Sequence, residues 1–334
     1  MSKPSVLVIG CGSIGERHLR CFLKTGRAEV TACEANPTLL QRMADTYHVP
    51  VAPDWMAALR GNFDAAIICT PAPLHVPMAI QALNAGRHVL VEKPLSQSLE
   101  GIDELFRARE CSGRQVAVAY VLHSYAVLNE AKAFLKRGDF GPVRQASVVS
   151  GQSFHVFRPA YAQTYYRDRR MGGGAIQDAL THTVNWVESV IGPADSVLCD
   201  CAHLVLPGVE VEDTVHVSAR HGSVLATYAL NQFQAPNETT IQLNAAGGSV
   251  KIELQKQRWG TYRAGESDWT WHEVPSVERD TPFLNQANAF LDQIEGKPSG
   301  LCSLEAAAQT LRFNLAALAS AESNVRVSCA ALRA

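Results

Sequence analysis

This chain carries no surplus of either charge and no long hydrophobic run. Lys and Arg number 30 against 32 Asp and Glu, so there is no basic excess for nucleic acid and no acidic tail for solvation. No apolar stretch approaches the roughly 20 residues that cross a bilayer. The opening Met1-Ser2-Lys3-Pro4-Ser5 enters a short apolar run at once. It lacks the longer apolar region and cleavage site of a secretion signal, so a cytoplasmic location is expected. Cys199 and Cys201 form a C-x-C pair, but no second pair stands at zinc-site spacing, and no metal is expected. The nine cysteines are an odd number and read as free thiols in a reducing compartment. There is no internal repeat and no low-complexity segment.

A length of 334 residues is long for one core and comfortable for two domains. In the first third, short apolar strands alternate with helical stretches. Strands are read at Val6 to Ile9, Val30 to Cys33, Ala65 to Cys69, Val89 to Val91 and Val116 to Ala119. Helices are read at Ile14 to Lys24, Pro37 to Tyr47 and Ser98 to Cys111. That alternation implies a doubly wound parallel sheet with buried strands. The pattern changes near Tyr120. A helix at Leu128 to Lys136 stops at Gly138, and a strand runs from Val143 to Val149. Thr214 to Arg220 and Ser223 to Leu230 flank His221-Gly222, and Thr239 to Ala245 and Ser249 to Leu254 flank Gly247-Gly248. Such turns mark hairpins, so this half is expected to hold a large, mostly antiparallel open sheet in an α/β domain. Two helices close the chain, Phe283 to Glu295 and Ser303 to Ala321. The expected domains are 1–121 and 122–334, with the C-terminal helix free to pack back on the first.

The strongest local signal is Gly10-Cys11-Gly12-Ser13-Ile14-Gly15, a G-x-G-x-x-G directly after a strand and before a helix. The first glycine allows a tight turn, the second lets a pyrophosphate approach the backbone, and the third lets helix and strand pack closely. The helix N-terminus offers free N–H groups to the phosphates. This is the fingerprint of a Rossmann dinucleotide-binding domain. Glu34 ends the second strand, about 20 residues past the glycines, where a carboxylate accepts hydrogen bonds from the adenosine ribose. It would repel the 2′-phosphate of NADP, so NAD is the expected cofactor and NADP the lesser one.

Three further motifs carry a family likeness. They are Cys69-Thr70-Pro71-Ala72-Pro73-Leu74-His75, Ala85-Gly86-Arg87-His88-Val89-Leu90-Val91-Glu92-Lys93-Pro94, and Gly172-Gly173-Gly174-Ala175-Ile176-Gln177-Asp178-Ala179-Leu180-Thr181-His182. With the glycine loop they resemble the family of glucose–fructose oxidoreductase and inositol dehydrogenase, Gfo/Idh/MocA, over nearly the whole chain. The resemblance implies a Rossmann domain, a C-terminal α/β domain, a nicotinamide cofactor and a sugar-like substrate. It implies that Thr70, Pro71 and His75 lie beside the cofactor and that Glu92 and Lys93 approach its nicotinamide end. The Lys93-Pro94 bond is often cis in similar proteins, which would aim the lysine into the cleft. The sequence departs from the family at His123, where many members have arginine, and at Asn185, where many have aspartate.

Hydride transfer from a carbinol needs a base near the O–H. Lys93 in a dry cleft is expected to have a lowered pKa, and as an ammonium it stabilises a developing alkoxide. Asp178 and His182 are four apart, one helical turn, so the aspartate can orient the imidazole and the histidine can pass a proton. Asn185 falls on the same face a turn later. Gly172 to Gly174 permit close approach of a ligand. The residues leave open whether Lys93 or His182 accepts the proton. Upstream, Arg158, Tyr161, Tyr165 and Tyr166 suit a sugar site through stacking and multidentate hydrogen bonds. Pro159 is expected to hold Arg158 extended and fix its direction, for a substrate carboxylate or for an acidic side chain across a subunit interface.

The expected function is an NAD-dependent dehydrogenase or reductase of a sugar, polyol or sugar acid. Two alternatives stand beside it: a glycosidase of the same fold with no net redox change, and a non-enzymatic NAD-binding regulator. Val215, Val217 and Ala219, with Leu225, Thr227 and Ala229, carry the small and apolar residues expected to pair the second sheet with a symmetric copy, giving a homodimer or homotetramer.

Overall fold

A computed structural model describes residues 3–332, so Met1 and Ser2 of the opening stretch, and Arg333 and Ala334 at the end of the expected second domain, lie outside it. In chain order the elements begin β1 (Ser5–Ile9), α1 (Ser13–Lys24), β2 (Glu29–Cys33), α2 (Pro37–Tyr47), β3 (Val51–Ala52), α3 (Trp55–Leu59), β4 (Ala65–Ile68), α4 (His75–Asn84), β5 (His88–Val91), α5 (Ile102–Ser112) and β6 (Val116–Val118). There follow α6 (Ala126–Arg137), β7 (Val143–Gly151), α7 (Phe154–Phe157), α8 (Thr181–Ile191), β8 (Ser196–Ala202), β9 (Thr214–His221), β10 (Val224–Asn231), β11 (Glu238–Ala245), β12 (Gly248–Glu253), β13 (Arg258–Arg263) and β14 (Thr270–Glu273). The last are α9 (Thr281–Ile294), β15 (Cys302–Ser303), α10 (Leu304–Ser323) and β16 (Val327–Ser328).

The chain divides into two units. The first holds residues up to 124 and 278–307, and the second holds 125–277 and the described residues from Ala308 onward. The chain thus passes between units three times, where the sequence reading expects one crossing. Residues 278–307 belong to the first unit because α9 lays its apolar stripe on α1. Phe290 meets Phe22 edge-on, and Arg27 reaches Asn288, Asp292 and Glu295.

The first unit is built on a sheet of order β15-β6-β5-β4-β1-β2-β3. All its pairings are parallel except that of β15 with β6. Val6 to Ile9, Ala65 to Ile68 and Val89 to Val91 are buried, as both faces of a covered parallel sheet require. Local chemistry sets the helix ends. Asn36 caps α2 by accepting from the N–H groups of Thr38 and Leu39, and Pro37 occupies the first turn. The helix expected from Ser98 begins at Ile102, because Gly101 takes a left-handed φ of 73°. Helix α4 escaped the sequence reading. It is buried on most of its surface, so it shows no amphipathic period, and Pro77 sits in its first turn.

The second unit carries a sheet of order β14-β13-β12-β11-β7-β10-β9-β8-β16, antiparallel throughout except between β7 and β10. Both expected hairpins are present. The register splits the residues expected to pair with a second copy. Val215, Val217 and Ala219 are buried and lie opposite Leu230, Tyr228 and Ala226. Leu225 and Thr227 point the other way, and Leu225 is 51% exposed. Side chains alternate with a period of two, so the two trios cannot share a face. The open face is instead lined by Leu225 and Thr227 with Val149, Leu198, His216 and Ser218.

Candidate active site

In the first unit the glycine loop follows from steric limits. Gly10 has φ 86°, and a Cβ there would lie 3.0 Å from the Cys69 carbonyl. A Cβ on Gly15 would lie 1.7 Å from the Gly10 carbonyl oxygen, so only glycine lets α1 start this close to β1. Gly12 is exposed, with nothing within 4 Å of its would-be Cβ, and no side chain caps the helix it begins. Ser13 is exposed and Ile14 half-buried beside it. The first-turn N–H groups of α1 therefore have no partner within the helix. Glu34 closes the loop from the end of β2: one carboxylate oxygen accepts from the Cys11 N–H at 2.7 Å, the other from the Asn36 N–H at 2.9 Å. Carboxylate oxygens have lone pairs to spare for ribose hydroxyls. These residues fit a dinucleotide: open backbone at the helix end and a carboxylate at the neighbouring strand end.

The strand ends beside the loop carry the other two motifs. The Glu92 carboxylate is buried and pairs with Nε2 of His18, on α1, at 2.7 Å. Its second oxygen accepts the main-chain N–H of Lys93 at 3.1 Å. Burial pushes the Glu92 pKa up, but the His18 hydrogen bond, with the charges of His18 and Lys93, wins and lowers it overall. Lys93 itself is half-buried, and the Lys93-Pro94 bond is cis. His75 is 1% exposed, and its ring faces two carbonyl oxygens, Pro94 at 2.8 Å from Nδ1 and Thr70 at 2.7 Å from Nε2. A carbonyl only accepts, so a neutral ring donates to one and a protonated ring to both. Burial lowers the His75 pKa against the opposing pull of those two carbonyls. Both ring nitrogens thus face carbonyls of the protein, and His75 braces the segments of Thr70 and Pro94. Thr70 is half-buried, Pro71 is exposed, and Pro71 leads into the turn before α4. His123 is half-buried in the turn Val121–Ser124, on which α9 packs through Asn285.

The second unit holds the other candidates. Asp178 is fully buried, accepting from Arg158 Nη1 and from the Tyr165 hydroxyl, each at 2.6 Å. Arg158 therefore has an acidic partner within its own chain, where the sequence offered a substrate or a neighbouring subunit. Its backbone at φ −142° and ψ 56° leaves the helical region, as the following proline demands, but is not extended. The guanidinium lies over the Phe154 ring at 5.1 Å, and 45% of the side chain stays exposed. Tyr161 is not available to a substrate. It is buried in a cluster with Phe154 and Tyr166, and its hydroxyl donates to the Pro207 carbonyl. Tyr165, 42% exposed and bonded to Asp178, is the tyrosine on this loop that faces outward.

At Gly173 and Gly174 the missing side chain makes room for protein. A Cβ on Gly173 would lie 2.2 Å from the Tyr166 carbonyl, and one on Gly174 would lie 2.5 Å from the Glu212 carboxylate. Glu212, unread in the sequence, also accepts from Arg169 and from the Ile176 N–H. The helical register expected from Asp178 to Asn185 is broken, because Ile176–Leu180 forms a turn of π-helix before α8 begins at Thr181. Asp178 lies in that wider turn and His182 in the first turn of α8. His182 is half-buried, whereas Asn185 is buried and donates to Thr310 at 2.9 Å, which commits its amide to the interior. Among the described residues no group of acidic, histidine and cysteine side chains could hold a metal ion, and no helix is long and apolar enough to cross a membrane.

Comparison with known proteins gives this geometry its relatives. Residues 5–120 match the family model described as an oxidoreductase family with an NAD-binding Rossmann fold, and residues 128–251 match the Gfo/Idh/MocA C-terminal domain. A levoglucosan dehydrogenase of Pseudarthrobacter phenanthrenivorans is 25% identical over 77% of this chain and 75% of its own length. A 1-carboxy-3-chloro-3,4-dihydroxycyclohexa-1,5-diene dehydrogenase of Comamonas testosteroni is 29% identical over 53% of this chain and 45% of its own. The chain spans about half the length of several curated relatives it matches. Among solved structures, an NAD-binding oxidoreductase from Klebsiella pneumoniae superposes with a TM-score of 0.88 at 19% identity, covering 98% of this chain and 99% of that one. The WlbA dehydrogenase from Bordetella pertussis, in complex with NADH and UDP-GlcNAcA, gives 0.84 at 23% identity, covering 98% and 97%. Two models of one family thus match most of the chain, and the protein belongs to the Gfo/Idh/MocA oxidoreductases, with an NAD-binding Rossmann domain followed by that family's C-terminal domain.

Proposed function

We propose that the protein is an NAD-dependent oxidoreductase acting on a hydroxyl-bearing carbon of a sugar, polyol or sugar acid. The observation that carries this reading is the Glu92-Lys93-Pro94 segment, half-buried at its lysine and held by two buried histidines beside the glycine loop. The names of relatives support the substrate class: a levoglucosan dehydrogenase and a 1,5-anhydro-D-fructose reductase are among them. When bound, NAD supplies or accepts the hydride. The loop from Gly10 to Gly15 holds the phosphates, and Glu34 takes the ribose. Lys93 holds the substrate hydroxyl and stabilises the alkoxide. His182 is the second candidate for the proton, and the exposed part of the Arg158 guanidinium, held by Asp178, takes a substrate carboxylate. A regulator that only senses NAD has no use for Lys93 together with Asp178 and His182.

The test is a screen of sugars and sugar acids with NAD and with NADP, followed at the reduced-nicotinamide absorbance. Turnover with at least one sugar-like compound and NAD is expected, and none with any would overturn the reading. Glu34→Ser should narrow the preference by raising relative use of NADP. It should also weaken NAD binding, because the Cys11 and Asn36 N–H groups lose their acceptor. A wild-type protein that binds NADP more tightly than NAD contradicts the role of Glu34.

We also infer a homodimer or homotetramer through the open face of the second sheet. Val149, Leu198 and Leu225 are each more than 40% exposed there, an apolar set that a symmetric copy would cover. Light scattering at micromolar concentration should report at least a dimer, and a monomer would refute the assembly.

A further inference from the structure

Lys93 is the last residue before a proline at the end of β5, and its main chain is pinned from two helices. On one flank, His18 of α1 holds the Glu92 carboxylate, which in turn accepts the Lys93 N–H. On the other flank, His75 of α4 reaches the Pro94 carbonyl through Nδ1 and the Thr70 carbonyl through Nε2. Both rings are essentially without solvent contact, at 0% and 1% exposure. Neither has the exposure of a group that meets substrate, yet each bonds the residue next to the lysine. A buried polar side chain costs free energy, and each of these imidazoles is bonded to the lysine's neighbour even though Nδ1 of His18 has no partner among the described residues.

We propose that His18 and His75 are positioning residues for Lys93, fixing the lysine's backbone from opposite flanks. The proposal rests on the reading of Lys93 as the group that handles the substrate hydroxyl. A catalytic group held loosely by about 1 Å loses on the order of 100-fold in rate. The two rings use different nitrogens toward the segment, and this gives the proposal a specific signature. Glutamine carries its amide nitrogen near the place of a histidine Nε2, and asparagine near that of Nδ1. At position 18 the needed donor is at Nε2, and at position 75 the contact to Pro94 is at Nδ1.

The experiment compares His18→Gln, His18→Asn, His75→Asn and His75→Gln with wild type and Lys93→Met. It measures kcat and KM on a sugar found in the screen, NAD affinity by calorimetry, and the rate at which the Lys93 amine reacts with trace acetic anhydride in cofactor-free protein, read by peptide mass spectrometry. A crossed pattern is expected. His18→Gln and His75→Asn should keep kcat within roughly threefold of wild type, whereas His18→Asn and His75→Gln should lose roughly 10- to 100-fold. The two losing variants should bind NAD within about threefold of wild type and should change the Lys93 acetylation rate by at least about threefold. Equal losses in both variants at each position would mean packing alone and would overturn the proposal. So would losing variants with wild-type kcat and unchanged acetylation. If Lys93→Met keeps full turnover, the catalytic reading fails, while the acetylation rates still decide whether the histidines hold the lysine.

Discussion

Lys93→Met is expected to bind NAD within a few-fold of wild type while its turnover falls by roughly two to four orders of magnitude. That loss corresponds to about 3–5.5 kcal/mol of barrier. The separation of binding from turnover follows from where the contacts are made. Phosphate binding is assigned to the loop from Gly10 to Gly15, which the substitution does not touch. The bond from residue 93 to Glu92 comes from the main-chain N–H, so methionine preserves it. Methionine also matches the length of the lysine stem, which leaves charge and proton chemistry as the difference. Calorimetry for NAD and steady-state kinetics on the same preparation check both halves. Turnover near wild type would remove Lys93 from the mechanism. His182→Ala in the same assay weighs the second candidate, and a larger loss there would make the histidine the principal base.

Arg158→Met is expected to cost both stability and catalysis, for separable reasons. Asp178 is fully buried, and Arg158 and Tyr165 bond its two oxygens. Breaking a buried pair by removing one partner costs about 3–5 kcal/mol, and the partial exposure of the arginine puts this case near the lower end. Most of that loss should return in Arg158→Met/Asp178→Asn, which removes the stranded charge. Denaturant melts of the single and double variants give the comparison, and a single variant as stable as wild type would show that the pair contributes nothing. The kinetic half asks whether the exposed part of the guanidinium also takes a substrate carboxylate, a geometry suited to its paired donors. A sugar acid should then lose roughly 2–4 kcal/mol of transition-state binding in Arg158→Met, and its neutral analogue much less. Equal losses on the two substrates would mean that Arg158 serves Asp178 alone.

Why Tyr165 faces outward and Tyr161 does not illustrates where sequence reading stops. Both stand on one irregular loop and both offer a ring and a hydroxyl. Which of them faces outward depends on a cluster assembled with Leu206, Val209 and Val211, residues some 40 or more positions away in the sequence that no local pattern links to the loop. Glu212 belongs to the same category. It crowds Gly174 and bonds Arg169 and Ile176, and nothing adjacent to it in the chain announces those contacts. His18 had a weak signal, one helical turn past the last glycine of the loop, but the partner that gives it meaning, Glu92, is 74 residues on.

The sequence by itself determined the features that short-range sterics and periodicity encode. The glycine loop, the carboxylate at the end of β2, the alternation of strand and helix and the two hairpins are each dictated within a few residues, by φ limits, helix ends and turn chemistry. Tertiary structure alone decided which polar side chains are spent on the protein itself. His75 is committed to two carbonyls, Asn185 to Thr310, Tyr161 to Pro207 and Asp178 to Arg158 and Tyr165. The physical reason is that a buried polar group must find a partner wherever the fold places one. That partner is a matter of three-dimensional packing, so residue type and spacing propose the chemistry of a side chain while its neighbours decide how much of that chemistry is left for a ligand.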